Sequence, residues 1–132
     1  MSAAIRTFEP IALEGWIPPH ELSPNARVHW RTKALAVADT RFLVKALVLR
    51  FWFDGGRGQQ ADGTRRRLTI RVQRPRVMDH DNLMASCKSV IDGAVSGGAA
   101  VDDSPTWLEA VVQQVKGPPT TWLELEELTD GE

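Results

Sequence analysis

The amino-acid sequence predicts a two-layer α+β domain, a small mixed sheet of about four strands carrying two main helices in the order β-α-β-α-β-β. Three observations predict it. Apolar and polar residues alternate with period 2 in short segments near the N-terminus, after residue 64 and twice after residue 106. Two longer stretches between them carry apolar residues at helical spacing. The chain of 132 residues has room for one core and not two, so residues 1–132 read as a single domain.

Taken in order, Thr7–Trp16 alternates weakly and reads as a first strand. Pro18, Pro19, Ser23 and Pro24 then make a loop, because proline fixes φ and lacks a donor. From Arg31 to Trp52 the spacing turns helical. Leu35, Val37, Ala38, Phe42, Val44, Leu47 and Leu49 populate a broad apolar face, with Arg31, Lys33, Arg41, Lys45 and Arg50 interleaved. Asp54-Gly55-Gly56 ends that helix, and the Gly/Gln/Asp tract through Thr64 is expected to be a mobile loop. Arg65–Arg74 reads as a strand with Leu68, Ile70 and Val72 pointing one way and Arg67, Thr69 and Arg71 the other; Pro75 helps to stop it. A second helix is expected from Asp81 or Asn82 to about Val95, with Asp81 as N-cap and Gly97-Gly98 beyond its end. After a turn around Asp102–Pro105, Trp107–Val115 and Thr121–Leu128 read as strands joined by Gly117-Pro118-Pro119 in a hairpin-like connection. Residues 129–132 are expected to fray.

Composition narrows the function classes. With 42% hydrophobic and 25% charged residues, neither disorder nor a membrane span is indicated. No apolar segment follows a basic start, which argues against secretion, and the single Cys87 cannot form an internal disulfide; cytoplasmic residence is expected. The net charge of −1 hides a division. Residues 1–76 carry 14 Lys+Arg against 6 Asp+Glu, a balance of +8, and residues 77–132 carry 2 against 11, a balance of −9. Either the basic segment attracts a nucleic acid while the acidic one holds metal, or the two halves pair with each other across the fold.

The acidic half is concentrated. Asp79, Asp81, Asp92, Asp102 and Asp103, with Lys88, fall within 25 residues. Clustered carboxylates repel, and a fold tolerates them mainly where a cation neutralises them. On a helix starting near Asp81, residues 81, 85, 88 and 92 share one face, and Asp102-Asp103 could fold back towards its start. A hard cation such as Mg²⁺ would find oxygen ligands there, and phosphodiester hydrolysis is the chemistry the set suits. Each feature also has a plain structural reading: Asp81 as an N-cap, Lys88–Asp92 as a surface pair worth about 0.3–0.5 kcal/mol, and Asp102-Asp103-Ser104-Pro105 as turn chemistry. His80, between two aspartates, is expected to face solvent; Cys87 and most of the five tryptophans are core candidates. Trp30, beside Arg27 and Arg31, is placed to stack on a base.

At these residues the sequence resembles the RusA family of Holliday junction resolvases, small metal-dependent endonucleases frequent in phages and prophages. The family pattern is Asp-x-Asp-Asn-Leu, then a lysine, an aspartate four residues after it, and an Asp-Asp-Ser-like turn. It stands here as Asp79-His80-Asp81-Asn82-Leu83, Lys88, Asp92 and Asp102-Asp103-Ser104; Ser23-Pro24-Asn25 with Arg27 resembles the family's earlier segment. The likeness spans about residues 12–128. One departure stands out: the family's lysine falls four residues after the second aspartate, where this chain has Ala85, and Lys88 comes seven after.

The resemblance implies that Asp79, Asp81 and Asp103 bind the metal and catalyse, that Asp92 and Asp102 support them, and that Lys88 is the catalytic lysine. Mg²⁺ is the implied cofactor, with Mn²⁺ as a substitute. The implied protein is a homodimer in the cytoplasm of a bacterium or phage-infected cell. It resolves four-way DNA junctions by paired nicks, its two-fold symmetry matching that of the junction. Arg27, Arg31, Arg65, Arg66, Arg67, Arg71, Arg74 and Arg76 are the expected phosphate contacts. The competing expectations are a branched-DNA-binding protein of the same fold with weak or absent catalysis, motivated by the displaced lysine, and a nucleotide phosphohydrolase, against which the +8 segment argues.

Overall fold

A computed structural model describes residues 3–54 and 63–129. The expected loop after Asp54 thus lies largely outside the described residues, as do residues 130–132, while Thr129 is still tied by its N–H to the Ala3 carbonyl at 3.0 Å. Pro10 has no N–H for a ladder, and the expected first strand breaks there. β1 (Ala4–Thr7) and β2 (Ile11–Glu14) are two halves of one sheet edge, both antiparallel to β5 (Thr120–Leu128). Between them Phe8 turns inward and packs edge-on against Phe51 and Trp52, ring centroids 5.9 and 5.2 Å away.

β3 (Arg66–Arg74) is the centre of the sheet, antiparallel to β5 on one side and parallel to β4 (Leu108–Lys116) on the other. The order is β1/β2–β5–β3–β4, a mixed sheet in an α+β fold. The Gly117–Pro119 connection is therefore not a hairpin, because β3 lies between the strands it joins. It passes around the end of β3: the Gly117 N–H donates to the Arg74 carbonyl at 3.0 Å and Gln73 Nε2 to the Pro118 carbonyl at 2.8 Å. Alternation within a strand reports which face is buried but not which strand is its neighbour, so the sequence could not reveal this insertion.

Helices cover one face of the sheet. α1 (Trp30–Asp54) buries Thr40, Val44, Val48 and Trp52, four residues apart. Leu35 and Phe42, expected on the core-facing side, are instead 65% and 75% exposed. The helix is apolar on two opposite faces, and the stripe at 40, 44, 48 and 52 is the one that meets the sheet. The second expected helix is two segments, α2 (His80–Ser86) and α3 (Lys88–Ser96), with Asp79 and not Asp81 as N-cap. The break is at Cys87, whose ψ of −1° departs from helical geometry although its N–H still reaches the Leu83 carbonyl at 3.0 Å. α1 and α3 pack in the same direction, Gly93 lying against Arg41 and Val44 and Gly97 against Lys45 and Val48. Among the described residues no helix is long and apolar enough to cross a membrane.

The other face of the sheet carries ion pairs. Arg67 Nε meets Glu109 at 3.1 Å and its Nη1 meets Glu126 at 3.3 Å, while Arg71 Nη2 meets Glu124 at 3.3 Å. Glutamates at alternate positions of β5 stand beside arginines at alternate positions of β3, so this part of the basic half is paired with the acidic half inside the fold.

Candidate metal and nucleic-acid site at one end of the sheet

β3 runs out at Arg74, and six residues later α2 begins its return across the sheet. The turn between them is clamped by Gln114 of β4, whose Oε1 accepts from the Met78 N–H at 3.0 Å and whose Nε2 donates to the Met78 carbonyl. Asp79 follows at once as N-cap with no side-chain cap bond, and Leu83 anchors the helix in the core. Asp79, His80 and Asp81 are all exposed. Neither aspartate has an ion pair among the described residues. A helix start favours negative charge, which eases two bare carboxylates but does not neutralise them. Gln114, which fixes the turn that presents Asp79, was not suggested by the sequence, because its spacing carries no motif.

Asp102 and Asp103 lie elsewhere. The Arg66 N–H donates to the Trp107 carbonyl at 2.9 Å, its guanidinium to the Gly98 and Ala99 carbonyls at 3.4 and 3.3 Å, and Arg65 Nε to the Pro105 carbonyl at 3.3 Å. Residues 98–107 are thus fixed at the Arg66 end of β3, about 26 Å of extended chain from the Arg74 end where Asp79 stands. The expected fold-back towards the start of α2 does not occur, because two helical segments lie between. Asp102 Oδ1 accepts the Ser104 N–H at 2.8 Å, the turn chemistry noted as its plain reading, and these Ser104 hydrogen bonds hold its carboxyl below the ordinary value.

Among the described residues no three His, Cys, Asp or Glu side chains converge to hold an ion. Asp79, Asp81 and Asp103 therefore do not converge on a three-carboxylate site. The pair Asp79 and Asp81 does fit the chemistry of a magnesium site of the open kind, which takes one or two carboxylates and fills the rest with substrate phosphate and water.

Lys88 is separated from that pair by the break at Cys87. Its Nζ lies 3.8 Å from Asp92 Oδ1, and the two share with Ala85 a cleft of about 260 Å³ facing Leu22, Pro24 and Lys33 of the segment leading into and starting α1. Ala85, Lys88 and Asp92 keep the common face expected of them; Asp81 is not on the walls of this cleft.

The eight arginines expected to contact phosphate divide. Arg66 is 1% exposed and does not reach solvent: it lies over the Trp52 ring at 5.0 Å and pairs with Glu127 at 3.3 Å. Its expected DNA contact is corrected to a structural one, since its parity on β3 directs it at the helices. Arg67 and Arg71 are neutralised by glutamates, and Arg65 is bonded at the Pro105 turn. Arg27, Arg31, Arg74 and Arg76 have no ion pair among the described residues. These four sit at the Asp79 end, Arg74 closing β3, Arg76 just after it, and Arg27 and Arg31 at the entry to α1. Trp30, 68% exposed, stands among them with the Arg31 guanidinium 5.3 Å from its ring.

Comparison of the chain with protein-family models, with curated proteins and with solved structures finds no match.

Proposed function

We propose that this chain is a metal-dependent, structure-specific endodeoxyribonuclease that resolves four-way DNA junctions as a homodimer, with Mg²⁺ as cofactor. One observation carries the reading: bare carboxylates, Asp79 and Asp81, and bare arginines, Arg27, Arg31, Arg74 and Arg76, share one end of the molecule without pairing with each other. A cation and a phosphodiester arriving together satisfy both sets, and either alone satisfies one. A bound divalent ion would supply Lewis-acid polarisation of the phosphoryl oxygen and an acidified water. The chain's part is to hold that ion on Asp79 and Asp81, to orient the strand through the arginines, and to offer Trp30 to an unstacked base.

The homodimer rests on the outer face of α1. Leu35, Phe42, Ala46, Leu49 and Phe53 fall on one stripe opposite the core, Phe53 at 86% exposure, and a continuous apolar stripe of this kind marks an association surface. We assign it to a second copy of the chain, whose identical stripe a two-fold axis would set against it.

The test is magnesium-dependent nicking of a synthetic four-way junction. Wild type is expected to introduce paired nicks, and Asp81→Asn to bind without cutting. A wild-type protein that binds the junction and leaves it intact would sink the nuclease and favour the second reading, a branched-DNA-binding protein without catalysis. The observation behind that second reading is Lys88, which is engaged with Asp92 in a different cleft.

A further inference from the structure

β3 carries four arginines, and three of them meet a glutamate. Arg74 meets none among the described residues. Its Nε donates to the Arg76 carbonyl at 2.6 Å and its Nη1 touches Met78 Sδ at 3.1 Å, which leaves a half-buried cation without a counter-charge. Arg74 lines a cavity of about 260 Å³ between the loop at residues 18–26 and α2. Ser86, 3% exposed, also lines it, and its Oγ is buried without a hydrogen-bond partner. His20, Ser23 and Asn25 complete the polar lining, and no acidic residue contributes to it.

A buried hydroxyl without a partner and a cation without an anion are each unfavourable, and native proteins rarely keep either idle. One ligand resolves both: a tetrahedral anion that accepts from the guanidinium, from the Ser86 hydroxyl and from the Asn25 amide at once. We propose that this cavity binds a backbone phosphate of the nucleic acid, next along the strand to the one placed at Asp79 and Asp81. The proposal rests on the nuclease reading above for its substrate. It goes beyond that reading in assigning the cavity and in making Ser86, Asn25 and Arg74 positioning residues. The cavity, of about 260 Å³, accommodates a phosphate group, and the two arms of the experiment below separate a phosphate carried by DNA from a free one. Its wall includes Met78, so its occupant sits one residue from Asp79.

The experiment is an amide-resolved NMR titration of the full chain with a four-way junction and, separately, with inorganic phosphate, both with magnesium absent so that cleavage does not intervene. Junction DNA is expected to shift the amides of Asn25 and Ser86 and the Arg74 Nε–H saturably. Arg74→Gln should abolish those shifts and weaken junction binding about tenfold, and Ser86→Ala should weaken it about threefold, with thermal melts confirming that both variants fold. Arg74→Lys keeps the charge and loses the fork, and should recover part of the affinity. Binding of the junction with no response at these three residues overturns the proposal, as does a response to inorganic phosphate that junction DNA fails to reproduce. The two readings fail separately. A protein that nicks with a silent pocket loses the pocket and keeps the nuclease; one whose pocket responds but which never nicks keeps the pocket and loses the nuclease.

Discussion

Arg66 and Arg74 open and close the same strand and point to the same face of it, yet one is enclosed by the fold and the other borders a cavity. Both occupy even positions of β3, in line with Leu68, Ile70 and Val72, so each caps one end of the row that meets the helices. At the Arg66 end the cation is closed in: Gly98 and Ala99 carbonyls, Glu127 and the Trp52 ring surround it. At the Arg74 end the partners are a carbonyl and a thioether, and the space beyond is a cavity. Residue type and parity are identical at the two positions. What differs is whether the fold supplies the counter-charge, and only the end that lacks it has a reason to recruit one.

The sharpest way to break this comparison is to remove Arg66. Truncating one member of a buried charged network leaves the rest unpaired, which typically costs about 3–5 kcal/mol. Against a domain stability of about 5–15 kcal/mol that is a large fraction. We expect Arg66→Ala to lower the free energy of unfolding by about that amount in urea titrations, and Arg74→Gln to change it by less than about 1 kcal/mol. Equal effects at the two positions would erase the distinction drawn between them.

The two ends are joined by the α2–α3 return, which is seated on α1 through glycines. A Cβ on Gly93 would lie 2.7 Å from the Arg41 carbonyl oxygen, and one on Gly97 2.7 Å from Val48 Cβ. Overpacking at such contacts costs about 1–3 kcal/mol. Gly97→Ala should therefore destabilise by about that amount. Because α2 is carried on α3, the variant should also weaken metal-dependent nicking more than it weakens junction binding. A loss of stability with nicking unaffected would show that the two ends are mechanically independent.

Much of the fold was legible before the structure, and what was missed has identifiable causes. Strand alternation placed Leu68, Ile70 and Val72 inward and Arg67 and Arg71 outward, as found. Parity extended by one step in each direction would have placed Arg66 and Arg74 inward too, which the charge of the side chains obscured. The partner strand of Leu108–Lys116 was not legible, since a parallel neighbour separated by a crossover leaves no local mark. Nor was the separation of Asp103 from Asp81: the spacing along the chain is that of the resemblance, but a helical return of two segments places its ends at opposite ends of the sheet. The cluster in sequence is three groups in space: Asp79 with Asp81, Lys88 with Asp92, and Asp102 with Asp103.

Cys87 offers a gentler probe of the Arg74 end. Burial pushes its thiol up to about 12, opposed by the positive charge of Arg74. The folded value lies above the unfolded one of 9.0, so the thiol's contribution to stability is complete below pH 9 and is lost as pH rises from there towards about 12. Alkaline unfolding curves should be shallower for Cys87→Ala over that window. The native thiol should also resist alkylation at pH 8, and Arg74→Gln should make it more resistant still, because the opposing charge is gone. An Arg74→Gln protein that alkylates faster would mean that the substitution opens the site and that Arg74, like Arg66, serves the fold.

The smallest expected effect is at Arg71, and its smallness is the point. Arg71 lies on the open face of β3 with Glu124 at 3.3 Å, both partly exposed, and such pairs contribute about 0.2–1 kcal/mol. Charge counting would class it with Arg74 as a phosphate contact three residues away on the same strand. The structure gives it a carboxylate already, so a phosphate approaching Arg71 would have to displace Glu124 and meet its repulsion, along with that of Glu126 beside Arg67. Arg71→Gln should accordingly leave junction affinity within about twofold and shift stability by less than about 1 kcal/mol. Glu124→Gln, by freeing the same guanidinium, should strengthen junction binding and steepen its salt dependence by about one released counterion. If Arg71→Gln instead weakens binding as much as Arg74→Gln does, then the nucleic acid lies along the open face of the sheet, and the internal pairing of the two charged halves yields to it on binding.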